Sequence, residues 1–128
     1  MNTPPFGTGR ITVDEAARRT GHTGDGTAAR DSMCVLLDVR EPDEWRAGHI
    51  PGALLLPLSR LSAGAPLPDE AERRPLVVIC RSGKRSQQAV GLLTDSGAAA
   101  VDVIGGMRAW ALADLPVVNA QGLPGTVA

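Results

Sequence analysis

The feature that most constrains this 128-residue chain is the stretch from Pro75 to Ser86, PLVVICRSGKRS. An apolar run from Leu76 to Ile79 ends at Cys80, and a short basic loop that contains a glycine follows. A helical pattern then begins near Gln87. A continuous apolar run is typical of a strand covered on both faces in a parallel sheet. The stretch therefore predicts a strand, a tight turn and a helix, with the sulfur at the carboxyl end of the sheet.

The loop after the cysteine is positively charged. Arg81, Lys84 and Arg85 lie within five residues of Cys80. Backbone N–H groups of a tight loop and the start of a helix add partial positive charge. The thiolate is the nucleophilic form of a cysteine, and such surroundings favour it. These residues therefore predict a reactive, accessible cysteine rather than an ordinary buried one.

Apolar runs alternate with helical patterns along the rest of the chain. The predicted strands are Arg10–Ile11, Met33–Val39, Leu54–Leu56, Leu76–Ile79 and Ala100–Ile104. The predicted helices are Val13–Arg19, Pro42–Arg46, a single turn capped by Ser59, a helix from Ser86 or Gln87 to Ser96, and Met107–Asp114. This alternation predicts an α/β domain with a mostly parallel five-stranded sheet and helices on both faces.

The chain length suits one domain with one core. Residues 1–9 are predicted to be a flexible lead, residues 10–118 the domain, and residues 119–128 a loose tail. Residues 63–74 are predicted to be a surface connection with a helical turn.

The composition argues against several classes of function. A net charge of −1 provides no broad field for nucleic acid or an anionic membrane. No apolar run approaches the roughly 20 residues of a spanning helix, and no signal-peptide pattern is present, so a cytoplasmic location is predicted. The two cysteines and two histidines show no zinc spacing, so neither a metal nor another cofactor is expected. For Cys34, core packing is favoured over a redox partnership with Cys80.

The chain resembles a single-domain rhodanese. Three segments carry the resemblance: Leu36 to Ala53, which contains LLDVRE and GHIPGA; Val78 to Ser86; and Ile104 to Trp110, which begins IGG. The resemblance implies the three-layer fold of rhodaneses and a cysteine that carries sulfane sulfur as a persulfide. The implied substrates are a small anionic donor, such as thiosulfate or a persulfide, and an acceptor that is cyanide or a thiol. A sulfur-relay protein is a further possible partner.

The resemblance also implies roles for individual residues. Cys80 is the nucleophile, and the residues that surround the substrate are Arg81, Ser82, Gly83, Lys84, Arg85 and Ser86. Among these, Lys84 and Arg85 are expected to bind an oxyanion, Arg81 to face outward and Ser86 to cap the helix. Asp38 and Arg40 match the family's Asp-x-Arg pair, as an internal ion pair near the site or as a substrate contact.

Three alternatives remain at this level. Ser82 stands where thiosulfate-specific two-domain members often have a basic residue, so a persulfide donor competes with thiosulfate. A persulfide carrier or a partner-binding module with little thiosulfate activity would share the same loop. A cysteine phosphatase or arsenate reductase would need an arginine six positions after the cysteine, where this chain has Ser86.

Overall fold

The computed structural model describes residues 9–22 and 34–128. Within these ranges, five strands form one sheet in which all neighbouring strands run parallel. The strands are β1 (Arg10–Ile11), β2 (Val35–Asp38), β3 (Leu54–Leu55), β4 (Leu76–Ile79) and β5 (Ala100–Val103). Their order across the sheet is β1-β5-β4-β2-β3, which places β4 at the centre. The predicted class, an α/β domain with a parallel five-stranded sheet, is confirmed.

In the described residues, every helix but the last lies between two successive strands, and the last one follows β5. They are α1 (Val13–Arg19), α2 (Pro42–Ala47), α3 (Leu58–Ser62), α4 (Arg85–Asp95) and α5 (Gly106–Leu112), with one 3-10 turn at Asp69–Ala71. The α1 helix begins where Thr12 accepts a hydrogen bond from the Glu15 amide at 3.2 Å. A reciprocal capping box between Glu41 and Glu44 begins α2, with Pro42 at its first position.

Alternate residues of the central strand face two separate apolar cores. Val77 and Ile79 of β4 belong to a core that includes α1 and α5 residues, with Met107 and Trp110 fully buried. Leu76 and Val78 face a second core, which α4 covers with Ala89 and Leu93 and which α3 borders. Because β-strand side chains alternate between faces, a fully apolar strand requires cover on both sides. The domain therefore has three layers, as expected.

The structure shifts several predicted boundaries by one or two residues. The β2 strand ends at Asp38 rather than Val39, and α5 begins at Gly106 rather than Met107. Ser59 does not cap α3, because Pro57 holds the N-cap position and the Ser59 hydroxyl donates to Glu41 Oε2 at 3.0 Å. The predicted start of β2 at Met33, residues 1–8 of the lead and most of the loop from Thr20 to Ser32 lie outside the described residues.

The segment after residue 118, for which a loose tail is expected, makes backbone hydrogen bonds to the domain in this structure. His49 and Val118 exchange backbone hydrogen bonds of 2.8 Å. The Thr126 amide donates to the Ala47 carbonyl at 3.0 Å, and Val127 packs against the α1–α5 core. Composition shows only the glycines and proline of this segment. It cannot show that the end of α2 offers carbonyl groups for the segment to bind.

Candidate active site

The Cys80 side chain lies directly after β4, at the carboxyl end of the central strand. The Gly83 amide donates a hydrogen bond to Cys80 Sγ at 3.1 Å. The thiol in turn donates to Ser86 Oγ at 3.4 Å. The predicted accessibility of Cys80 is wrong for this structure, because the residue is 1% exposed and its sulfur lies at the base of the loop and not on its outer surface. The backbone amide that faces the sulfur stabilises negative charge there, whereas burial by itself disfavours a thiolate.

The start of α5 holds the loop in this conformation. The Met107 amide donates to the Cys80 carbonyl at 2.8 Å, and the Arg108 amide donates to the Arg81 carbonyl at 3.0 Å. Both carbonyl groups therefore point towards α5. Gly106 makes this approach possible, because a Cβ atom there would lie 2.3 Å from the Cys80 carbonyl oxygen. Its φ of +58° is also a conformation that favours glycine.

Gly83 allows the loop to turn back over the sulfur. Its φ of +104° is open to glycine at no steric cost. A Cβ atom there would lie 2.8 Å from Arg10 Nη2. The role predicted for Gly83, backbone freedom in a tight loop, agrees with this geometry. Among the described residues, the Gly83 amide is the loop amide that comes within hydrogen-bonding distance of the sulfur.

Arg85 is held by a carboxylate from another helix. Its Nη1 and Nη2 atoms donate to the two carboxylate oxygens of Glu44 in α2, at 2.7 and 2.8 Å. This hydrogen-bonded pair lowers the pKa of Glu44 to about 2 and raises the pKa of Arg85 above its ordinary value. The sequence predicts Arg85 as an oxyanion donor and gives no sign of Glu44 as its partner. The cation at the end of the loop is therefore partly neutralised.

Asp38 and Arg40 form a buried ion pair at the end of β2. Both are fully buried, and Arg40 Nη2 lies 2.8 Å from Asp38 Oδ2. Arg40 also donates to the backbone carbonyls of Gly48 at 2.7 Å and Glu44 at 3.4 Å. The pair therefore holds the middle and the C-cap of α2, the helix that presents Glu44 to Arg85. In this geometry Asp38 and Arg40 hold the backbone beside the site and do not line the site itself.

Ser86 differs from its predicted role as a helix cap. Lys84 is the N-cap residue of α4, and Ser86 lies in the first turn with its side chain fully buried. Its hydroxyl donates to Asp102 Oδ2 at 2.8 Å and accepts from the Cys80 thiol. The capping prediction was wrong because the helix begins at Arg85, two residues earlier than a cap at Ser86 requires.

Two residues of this network were missed by the sequence analysis. Asp102 lies inside β5 and is 1% exposed, and Arg10 of β1 donates to both of its carboxylate oxygens. Arg10 Nη2 also donates to the Gly83 carbonyl at 3.2 Å. The available signal was a carboxylate between Val101 and Val103 in an otherwise apolar strand, because buried charges require partners.

The remaining loop side chains point to solvent. Arg81, Ser82 and Lys84 are exposed, so the outward orientation expected of Arg81 agrees with the structure. A shallow cavity of about 390 Å³ lies beside the loop, lined by Arg81, Arg108, Ala111, Leu112 and Val127. The exposed cations Arg81 and Lys84 are the basic side chains that the loop itself presents to an approaching anion.

Cys34 lies far from Cys80 along the sheet. It precedes β2, whose register pairs Val35 with Leu76, so Cys80 lies five residues further along the strand direction. Five residues span about 16 Å, which exceeds the Cα separation that a disulfide permits. Cys34 packs against the α1–α5 core, and burial raises the pKa of its thiol. Core packing therefore describes Cys34 better than a redox partnership with Cys80.

No group of three or more potential metal ligands occurs in residues 9–22 and 34–128. Over the same ranges, none of the helices has the length and apolarity needed to cross a membrane.

Comparison with known proteins identifies relatives of this arrangement. The family model described as Rhodanese-like domain matches residues 22–113. A protein named sulfurtransferase from Allochromatium vinosum is 38% identical over 89 residues, which cover 69% of this chain and 81% of that protein. A rhodanese-related protein from Thermoplasma volcanium has a similar solved structure, with a TM-score of 0.62 and 35% identity, over 70% of this chain and 87% of that one.

A longer relative matches through one part only. The probable adenylyltransferase/sulfurtransferase MoeZ of Mycobacterium tuberculosis is 35% identical over 108 residues. The match covers 79% of this chain but 28% of that protein. The chain therefore resembles the part of MoeZ that it covers, and the comparison says nothing about the remainder.

Proposed function

This chain belongs to the family of rhodanese-like domains, and on that premise we propose that it is a sulfurtransferase that carries sulfane sulfur on Cys80. The observation that carries the proposal is the hydrogen bond of 3.1 Å from the Gly83 amide to Cys80 Sγ. A preorganised amide donor at the sulfur stabilises negative charge without reorganisation during the reaction. The exposed cations of the loop, Arg81 and Lys84, favour the arrival of an anionic donor.

The first half-reaction loads the cysteine. The Cys80 thiolate attacks the outer sulfur of the donor, and a new S–S bond forms to Cys80. With thiosulfate, the original S–S bond breaks and sulfite leaves with its electron pair, so Cys80 becomes a persulfide. A persulfide donor would react in the same way and release a thiolate. Neither step needs a metal or a general base, because the leaving group departs as a stable anion.

The second half-reaction unloads the cysteine. A nucleophilic acceptor, either cyanide or a thiolate, attacks the terminal sulfur of the Cys80 persulfide. The bond between the two sulfurs breaks, and its electron pair returns to Cys80 as a thiolate. Since donor and acceptor react in separate steps with one covalent intermediate, the kinetics should be ping-pong.

One observation favours a second candidate within the same chemistry. Glu44 binds Arg85 through both carboxylate oxygens, so the loop retains less positive charge for a divalent anion such as thiosulfate. A persulfide carrier that exchanges sulfur with a partner protein would need less positive charge. The similarity to MoeZ, whose name combines adenylyltransferase and sulfurtransferase, supports a sulfur-relay partner of this kind.

The loop geometry argues against phosphatase or arsenate reductase chemistry. Six positions after the cysteine lies Ser86, whose hydroxyl is bound to Asp102. The arginine one position earlier is bound to Glu44. Neither side chain is arranged as a clamp around a tetrahedral oxyanion bound over the sulfur.

A donor and acceptor screen tests the proposed function. The unaltered protein is incubated with thiosulfate or a glutathione persulfide, and then with cyanide or dithiothreitol, while thiocyanate and sulfide are measured. Cys80→Ser should abolish turnover with every pair, because the serine hydroxyl cannot carry sulfane sulfur. Cys34→Ser is the matched control and should retain activity.

Each outcome of that screen bears on one candidate. Turnover with thiosulfate supports the thiosulfate sulfurtransferase, and turnover with persulfides alone supports the carrier. Full activity of Cys80→Ser would refute the nucleophile assignment. Hydrolysis of para-nitrophenyl phosphate that depends on Cys80, without sulfur transfer, would restore the phosphatase alternative.

A further inference from the structure

A chain of hydrogen bonds connects the reactive cysteine to the edge strand β1 of the sheet. Cys80 Sγ lies 3.4 Å from Ser86 Oγ, which donates to Asp102 Oδ2 at 2.8 Å. Arg10 closes the chain, with Nε 3.0 Å from Asp102 Oδ1 and Nη2 3.3 Å from Oδ2. Asp102 is 1% exposed, whereas the Arg10 side chain is 37% exposed.

The Ser86 hydroxyl has only one proton to share between two acceptors. An ionised carboxylate can only accept, so the proton of Ser86 lies towards Asp102 in the geometry observed. The hydroxyl oxygen can then only accept from the Cys80 thiol. Once Cys80 is a thiolate, this arrangement places a lone pair of Ser86 against a negative sulfur. The hydroxyl must rotate towards the sulfur if it is to stabilise the ionised cysteine.

We propose that Arg10 and Asp102 are positioning residues that determine whether the Ser86 hydroxyl donates to Asp102 or to the sulfur of Cys80. When the thiol ionises, its proton leaves to water and the electron pair stays on the sulfur. The Ser86 O–H bond remains intact and rotates from Asp102 to Sγ. Asp102 can release this hydrogen bond because Arg10 still donates to both of its oxygens.

Arg10 has a second contact with the same loop. Its Nη2 donates to the carbonyl of Gly83, the residue whose amide donates to the sulfur. The guanidinium therefore connects the carboxylate that controls Ser86 with the backbone that provides the amide donor. A single cation on an edge strand supports both hydrogen-bond donors to the thiolate.

Other charged groups around the cysteine are the same in every variant compared below. They are Arg81 and Lys84 of the loop, Arg85 of α4 with its partner Glu44 of α2, and Asp38 with Arg40 at the end of β2. Arg10→Met also removes the contact to the Gly83 carbonyl, which Asp102→Asn leaves in place. The start of α5 contributes only fixed dipoles. A shift that depends on Ser86 can therefore be separated from these constant contributions and from an effect on the Gly83 amide.

The rate of alkylation of Cys80 by iodoacetamide tests the proposal. The rate is measured from about pH 5 to about pH 10 on the full chain, by mass spectrometry of the peptide that contains Cys80. Arg10→Met should raise the midpoint of the profile by about one pH unit, because unpaired Asp102 retains the Ser86 proton. Arg10→Lys should restore most of the original midpoint.

Asp102→Asn should shift the midpoint in the opposite direction. The amide oxygen would remain on the side of Arg10 Nε, which makes the shorter contact to Asp102. The amide NH₂ would then face Ser86 Oγ, so that Ser86 accepts from the amide and donates to the sulfur. Arg10 Nη2 would lose its 3.3 Å hydrogen bond to Oδ2 and keep its hydrogen bond to the Gly83 carbonyl. The expected result is a midpoint lower by about one pH unit. Arg60→Met and Asp95→Asn make the same chemical changes at exposed positions and should leave the midpoint unchanged.

Repeating both substitutions with Ser86→Ala separates the proposed rotation from simple charge effects. If the hydroxyl transmits the effect, both shifts should fall to less than half of their size in the alanine background. Shifts that persist in full with Ser86→Ala would overturn the proposal, because they would arise without the Ser86 hydroxyl, from charge or from the Gly83 amide. Equal midpoints for Arg10→Met and the unaltered protein would also overturn it. If Asp102→Asn does not fold, the shift caused by Arg10→Met with and without Ser86→Ala still tests the proposal.

This inference rests on Cys80 being the nucleophile of the proposed function, but its test uses no sulfur donor. If Cys80 alkylation depends on pH and on Arg10 as predicted but no sulfur is transferred, the proposed activity is refuted and this inference stands. If sulfur is transferred but Arg10→Met leaves the alkylation profile unchanged, this inference is refuted and the proposed activity stands. Failure of iodoacetamide to modify Cys80 at any pH would contradict both.

Discussion

Replacing Glu44 with glutamine removes the charge that holds Arg85 and preserves the shape of the side chain. The Arg85 hydrogen bonds lower the pKa of Glu44 from 4.5 to about 2. A shift of that size corresponds to about 3 kcal/mol of preference for the ionised form in the folded protein. The Arg85 side chain is 34% exposed and that of Glu44 16%, so water screens the pair. We therefore expect Glu44→Gln to lower the free energy of unfolding by about 1–2 kcal/mol at neutral pH.

The effect should depend on pH with a definite sign. The pKa of Glu44 is lower in the folded protein than in the unfolded chain, so its contribution is complete above about pH 4.5. It is lost as the pH falls towards 2, where the folded protein also protonates the carboxyl. Glutamine resembles the protonated acid, so the difference between the unaltered protein and the variant should shrink by more than half at about pH 3.

Urea unfolding at about pH 7, 4 and 3 measures this difference, with the slope against urea checked for constancy. Asp43→Asn is the matched control, because Asp43 precedes Glu44 in α2 and is exposed. Its effect should stay within about 0.5 kcal/mol. Two results would refute the reasoning. One is a loss for Glu44→Gln that does not change with pH, and the other is no loss at neutral pH.

Two further substitutions test how the loop is held and charged. Gly106→Ala should cost more than about 3 kcal/mol, because its Cβ atom would lie 2.3 Å from the Cys80 carbonyl oxygen at a φ of +58°. Gly97→Ala, with a φ of +95° and open space around its Cβ position, should cost only about 1–2 kcal/mol in thermal or urea unfolding. Comparable losses of stability for Gly106→Ala and Gly97→Ala would mean that the close approach of α5 to the Cys80 carbonyl does not restrict residue 106. Arg85→Ala should reduce sulfur transfer more than Arg81→Ala, since it leaves Glu44 without its partner beside the site, whereas Arg81 is exposed. Equal losses in kcat/KM for the two variants would contradict this ranking.

The strands and the position of the cysteine could be predicted because they depend on local patterns. The run from Leu76 to Ile79 is apolar at every position, and both faces of β4 are covered by helices. A glycine, three cations and a helical pattern directly follow Cys80, so the strand, loop and helix order was readable without tertiary information.

The partners of the loop residues could not be predicted, because they come from distant parts of the chain. Glu44 precedes Arg85 by 41 positions, and Arg10 precedes Asp102 by 92. Spacing rules for helices and strands extend over a few residues and say nothing about such pairs. Asp102 did give a local signal, as a charge inside a buried strand. Identifying its partners still required the packing of β1 and α4 against β5.

The most direct test of the central claim is the mass of the peptide that contains Cys80 after the protein has been incubated with thiosulfate or glutathione persulfide. We predict a gain of about 32 Da, one sulfur atom, on that peptide and none on the peptide that contains Cys34. Adding cyanide should remove the gain and produce an equal amount of thiocyanate. A Cys80 peptide that remains unchanged with both donors, or a gain on Cys34 alone, would contradict the account.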